Sequence, residues 1–111
     1  MTTAKEKIVG IDVGKFELHV ARSNERQVQV VANESEGLLK LLDELDAYGP
    51  ELVVLEASGG YERALVRALA AAEMPYAVVN PSQVKAYRTA AGLPAKTDRL
   101  DTLLLVSFGE R

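Results

Sequence analysis

Four carboxylates stand where elements of this chain begin or end: Asp12 in GIDVGK, Glu56 in VVLEASGG, and Asp98 and Asp101 in AKTDRLD. Hard oxygen donors delivered from distant parts of one sequence are what a magnesium site requires. Without a cation such a cluster is costly, because two like charges about 4 Å apart repel by roughly 4 kcal/mol at an effective dielectric of ~20. If the four converge, either a divalent metal or raised pKa values must relieve the repulsion.

Each acid also has a plainer reading. Asp12 follows Ile8, Val9, Gly10 and Ile11 and could be a turn residue ahead of Gly14. Glu56 follows Leu52, Val53, Val54 and Leu55 without a break, so it must be buried, paired or ligating; the alternative to ligation is a salt bridge to a helix arginine. Asp98 and Asp101 are three residues apart, which on a helix puts them on one face. As first-turn acids they would stabilise a helix N-terminus by about 0.3–1 kcal/mol, and Asp98 could itself be the cap. Leu105, four beyond Asp101, continues their stripe with an apolar side chain, so the pair need not face bulk water. Taken jointly, the four acids favour metal binding over four unrelated local roles.

Lys85, Arg88, Lys96 and Arg99 fall within fifteen residues that hold one acid, Asp98. A positive segment beside carboxylates suits a phosphodiester substrate, with cations on the backbone phosphates and metal at the scissile one. A solvated helix face is the alternative. Tyr87 could stack on a base or ribose, or pack in the core. Ser58-Gly59-Gly60 could present backbone N–H groups to a phosphate, or be a serine cap after a tight turn. His19 alternates outward on its strand and is assigned no role.

Positioning these groups falls to 111 residues, 48% hydrophobic and 26% charged, which is room for one compact domain and no second. A net charge of −3 argues against a strongly basic, sequence-blind nucleic-acid binder. The absence of cysteine removes disulfide frameworks, thiolate metal sites and cysteine nucleophiles. No run approaches the roughly 18 uninterrupted apolar residues of a membrane span, and the N-terminus lacks the apolar region of a signal peptide, so a soluble, unprocessed protein with no membrane partner is expected.

Lys7 to Asp12 reads as a first strand, and Phe16, Leu18 and Val20 alternate with Glu17, His19 and Ala21 in a second. Val28 and Val30, alternating with Gln27 and Gln29, give a third and complete an antiparallel meander. Ser35 opens a helix whose stripe is Leu38, Leu39, Leu41, Leu42 and Leu45, stopped by Gly49-Pro50. ELVVLEAS is a buried strand, YERALVRALAAAE a helix, and Pro75 to Val79 a fifth strand. Asn80-Pro81-Ser82 starts the helix QVKAYRTAA; Gly92 to Ala95 break it, and Thr97 caps a last helix through LDTLLLVSF. The order β-β-β-α-β-α-β-α-α predicts an α/β, ribonuclease H-like domain: a mixed five-stranded sheet, meander plus parallel strands, with helices on both faces. A fourth strand parallel to the first brings Asp12 and Glu56 to neighbouring strand ends.

In this arrangement GIDVGKFELHVA, LEASGGYE and VNPSQVKAYRTAAGLPAKTDRLDTLLL resemble, in order and spacing, the three blocks of the N-terminal domain of DEDD-motif bacterial insertion-sequence transposases, a family that includes Piv-type DNA invertases. The resemblance covers almost the whole chain, and AKTDRLD is its most specific part. It implies a RuvC-like, ribonuclease H-type fold and Mg²⁺-dependent DNA strand cleavage and exchange guided by a structured noncoding RNA. It also implies that Asp12, Glu56, Asp98 and Asp101 are the catalytic ligands of one or two Mg²⁺ ions, with Mn²⁺ as substitute. The implied partners are DNA, the guide RNA and further copies of the chain, as dimer or tetramer, at the nucleoid in the bacterial cytoplasm.

Family members continue through a coiled coil into a second domain that supplies a serine nucleophile, and Ser23, Ser35, Ser58, Ser82 and Ser107 do not match that residue's context. The expectation is therefore a fragment holding half of a composite site, inactive in recombination by itself. The rival within nucleases is a RuvC-type Holliday-junction resolvase or another ribonuclease H-like nuclease using the same acids. GIDVGK also resembles the phosphate hairpin of actin-like kinases and ATPases, but the length is too short for their two domains, and Lys15-Phe16 replaces a small hydroxyl residue. A noncatalytic assembly module, with the acids as caps, is the remaining alternative.

Overall fold

Strand β1 (Ile8–Val13) carries apolar side chains to both faces, with Ile8, Val9, Ile11 and Val13 all buried, a pattern that only a central strand tolerates. It lies at the middle of a five-stranded sheet of order β3-β2-β1-β4-β5 in the computed structural model, which describes residues 7–23, 25, 27–90 and 105–106, the side chains of 87, 88 and 90 excepted. β2 (Glu17–Arg22) and β3 (Gln29–Ala32) extend the sheet antiparallel on one side, while β4 (Leu52–Glu56) and β5 (Tyr76–Val79) extend it parallel on the other. This is the mixed sheet expected from the sequence. The interruption at 92–95, the Thr97 cap and all but Leu105 and Val106 of the expected last helix lie outside the described residues.

Helix α1 (Ser35–Tyr48) and helix α2 (Arg63–Ala71) cover one face. Leu38, Leu41 and Leu45 of α1, at helical spacing, meet Val9, Ile11, Leu18, Val20, Val53 and Leu55 from the sheet and Leu65 and Leu69 from α2. Each such side chain, fully buried, contributes about 1.5–3 kcal/mol through removal of apolar surface from water. Gly49, in the left-handed conformation at φ 72°, ends α1 and donates its N–H to the Leu45 carbonyl at 2.9 Å. Helix α3 (Pro81–Ala90) covers the opposite face through Val84, which joins Ile8, Ala21, Val54 and Val79 together with Leu105 and Val106. Its start is a capping box: the Asn80 side chain accepts the Gln83 N–H at 3.0 Å, and the Gln83 side chain accepts the Asn80 N–H at 3.1 Å.

Three apolar residues sit differently from the sequence reading. Leu39 is 72% exposed rather than part of the buried stripe, because Leu38 and Leu41 already take the arc of α1 that faces the sheet. Phe16, 74% exposed, falls in the β1–β2 turn ahead of the strand. In β3 the pairing of Leu18 with Val31 turns Val31 and Gln29 toward α1 and leaves Val30 on the open face. Gln29 is held there by donating to Glu44 at 2.8 Å, beside the Arg22–Glu44 ion pair.

The first turn of α1 lies so close to the end of β3 that a Cβ at Gly37 would run into the Ala32 carbonyl. Glycine inside a helix ordinarily costs about 1 kcal/mol relative to alanine, so intrinsic propensity favours replacement. The collision reverses that preference. Gly37→Ala is expected to destabilise the domain by about 1–3 kcal/mol in urea unfolding, and a stabilised variant would contradict the close approach.

Candidate functional site

Asp12 and Glu56 reach the same place for a simple geometric reason. In the parallel ladder Ile8 faces Leu52 and Ile11 faces Leu55, a constant offset, so Asp12 and Glu56 stand one step beyond the last paired rung. Alternation along each strand turns both away from the α1–α2 layer, onto the face that carries Ile8, Val54 and Val79. Neighbouring strands lie about 4.8 Å apart, so the two backbones are close at this level. Glu56 is only 8% exposed and Asp12 half-buried. A cleft of about 500 Å³ opens over them, walled by Gly14, His19, Ser58, Gly59 and Pro81.

Neither carboxylate is free to drift on its outer side. Asp12 pairs with His19 across the antiparallel ladder, and Glu56 pairs with Val79 of β5, where the Ala57 N–H also reaches the Val79 carbonyl at 2.9 Å. Two hard oxygen donors on adjacent strands, on one face and open to a cleft, fit part of a divalent-cation ligand set. Among the described residues no three His, Asp, Glu or Cys side chains converge as a set. Asp98 and Asp101, the other acids singled out in the sequence, lie outside the described residues, as do Lys96 and Arg99.

Helix α3 brings Pro81, at its first turn, to the cleft wall. Lys85 stands exposed one turn further along and does not line the cleft. Tyr87 and Arg88 belong to the same helix, but their side chains lie outside the described set.

The Ser58-Gly59-Gly60 loop does gather backbone donors, although the anion it holds belongs to the chain itself. The N–H groups of Ser58 and Gly60 both donate to Glu62 Oε1, at 2.8 and 3.1 Å. Gly59 and Gly60, at φ 62° and 102°, supply the left-handed turn that points these amides inward. Ser58 is not the helix cap, since α2 starts at Arg63 and the intervening residues form successive turns through Tyr61 N–H to Ser58 O and Arg63 N–H to Gly60 O. The Ser58 amide, then Glu62's own amide and that of Gly60, lower the carboxyl pKa of Glu62, with Arg63 adding a smaller electrostatic contribution against partial desolvation.

Three residues that sequence reasoning left aside therefore shape the site: His19, Glu62 and Asn33. The signal for His19 was present in the hairpin register, because a tight turn after Val13 places it directly across from Asp12. Asn33, just after β3, donates its side-chain N–H groups to the carbonyls of Gly14 at 2.8 Å and Tyr61 at 3.2 Å. Nothing local in the sequence marks that contact, which spans three separate segments.

Comparison with known proteins agrees with this arrangement. Residues 9–110 match the family model of IS110-type DEDD transposases, described as "Transposase". The chain is 27% identical over 109 residues to the pilin gene-inverting proteins of Moraxella lacunata and Moraxella bovis, covering 93% of this chain and 34% of each relative. It thus spans about a third of the length of those relatives. The RuvC structure from Thermus thermophilus superposes with a TM-score of 0.58 at 19% identity over 90% of both chains, which establishes a RuvC-like, ribonuclease H-type fold.

The Glu62 brace carries a pH signature. A carboxylate whose folded pKa is depressed contributes stability that is present above its unfolded value, ordinarily 4.5, and is lost as pH falls through the folded value. Glu62→Gln keeps an acceptor but cannot ionise. Thermal unfolding between about pH 7 and pH 3 is expected to show the variant less stable at neutral pH, with the gap closing on acidification. Parallel curves would contradict the brace.

Proposed function

This chain belongs to the IS110-type DEDD transposase family, and from that premise we propose that it forms the metal-holding half of a DNA transposase or recombinase active site. The observation that carries the reading is the adjacency of Asp12 and Glu56 on one face at the ends of the two central strands, above an open cleft. In this reading Asp12 is the ligand shared between cations, Glu56 completes one site, and Asp98 with Asp101 completes the other. One or two bound Mg²⁺ ions, with Mn²⁺ as substitute, supply Lewis-acid polarisation of a scissile phosphate and stabilisation of the leaving 3′-oxygen.

The remaining residues bind and orient. Lys85, exposed on α3, and Arg88, Lys96 and Arg99 beyond it grip the nucleic-acid backbone, and Tyr87 stacks on a base or ribose. His19, on the cleft wall beside Asp12, is placed to donate to a phosphate oxygen. The partners in this reading are DNA, a structured guide RNA, other copies of the chain and a serine-bearing C-terminal domain that supplies the nucleophile. The relatives are named for inverting a pilin gene, an outcome of DNA recombination, and extend well beyond the segment that this chain matches. In this reading the 111 residues by themselves do not carry out strand exchange.

Calorimetric titration with Mn²⁺ tests the ligand assignment. The unaltered chain is expected to bind, and Asp12→Ala or Glu56→Gln to bind more than about tenfold more weakly without unfolding. Unchanged affinity in folded Asp12→Ala would overturn the assignment. Cleavage of branched DNA by this chain alone would instead favour a self-sufficient resolvase.

A further inference from the structure

Ladder pairing between β1 and β4 ends at Ile11 and Leu55, one step short of Asp12 and Glu56. Each acid is also held on its outer side, Asp12 by β2 and Glu56 by β5. Beyond the last rung, the side chain of Asn33 joins the loops that follow the two strands.

We propose that Asn33 is a positioning residue that straps the loop after Asp12 to the loop after Glu56 and so sets the separation of the two carboxylates. Its single amide nitrogen carries two protons and uses one for the Gly14 carbonyl and one for the Tyr61 carbonyl. Gly14 is two residues beyond Asp12, and Tyr61 is five beyond Glu56. Asn33 is itself anchored, because its backbone N–H donates to the Phe16 carbonyl at 2.8 Å. The two loops are also internally stiff: the Gly14 N–H donates to the Glu17 carbonyl at 2.8 Å, and Glu62 gathers the amides of Ser58 and Gly60. A pull at Gly14 or Tyr61 is therefore transmitted along a few rigid bonds to the strand ends.

The chemistry demands a side chain with two donors on one atom. Aspartate has nearly the same shape but would set oxygen against two carbonyl oxygens, and leucine fills similar space with no donor at all. The role of the strap in metal affinity rests on the metal reading proposed above, whereas its role in joining the loops does not.

Amide hydrogen exchange and Mn²⁺ titration on the full chain separate the two. In Asn33→Leu and Asn33→Asp, exchange is expected to speed several-fold at both Gly14 and Ser58–Tyr61, segments far apart in sequence, with the interior of α1 unaffected. Mn²⁺ affinity of Asn33→Leu is expected to fall about tenfold, while Leu45→Val, which loosens the core near the far end of α1 from Asn33, leaves affinity intact. Loosening of one loop or of neither would overturn the strap. Loosening of both with unchanged Mn²⁺ affinity in Asn33→Leu would overturn its positioning role. If the unaltered chain fails to bind Mn²⁺, the ligand assignment falls together with the positioning role, and exchange still decides whether the strap exists.

Discussion

Parallel pairing of β1 with β4, Ile8 against Leu52 through Ile11 against Leu55, is the contact on which the other features depend. Two parallel strands cannot be joined by a short turn, so the chain must cross over the sheet between them, and α1 makes that crossing. A strand pair at the centre must then be covered on both faces, which fixes the need for α1 and α2 on one side and α3 with Leu105 and Val106 on the other. The same pairing sets the chemistry. Because the offset between the strands is constant and side chains alternate with period two, an acid at the end of each strand arrives beside the other and on the same face.

That convergence works against the rest of the sheet energetically. Every neighbour of Glu56 within β4 is apolar, and Glu56 itself is nearly buried, so the fold keeps an ionisable group where burial alone would favour an aliphatic one. In the metal reading proposed above, a divalent cation would offset that cost by turning like-charge repulsion into shared attraction. The surrounding loops are fixed by hydrogen bonds of their own. Glu62 neutralises the inward amides of the Ser58–Gly60 turn, and the capping box at Asn80 and Gln83 fixes the start of the helix that brings Pro81 to the opposite wall. The cleft is thus bounded by backbone held in place by its own side chains.

Much of this was legible in the sequence because the signals were local. The run from Lys7 to Asp12 and the leucine spacing of α1 are periodic, and Asn80-Pro81 announces a helix start by its capping chemistry. Strand order and the meeting of Asp12 with Glu56 followed from the succession of elements. The errors arose where a third partner decides. Val30 and Val31 are equally apolar, and only the pairing with Leu18 chooses which one faces α1. Leu39 fits the helical stripe by spacing, yet the arc facing the sheet is filled by Leu38 and Leu41. His19, Glu62 and Asn33 were passed over for the same reason, since their significance lies in hydrogen bonds and pairings between segments far apart in the chain.

Crystals of the domain soaked in Mn²⁺ and measured at the manganese absorption edge would locate the cation directly. Anomalous density bonded to carboxylate oxygens of Asp12 and Glu56 at about 2.1 Å, with Asp98 or Asp101 completing the shell, is the expected result. A cation held by other side chains, with Asp12 and Glu56 turned away from it, would contradict the assignment of this cleft as the metal centre.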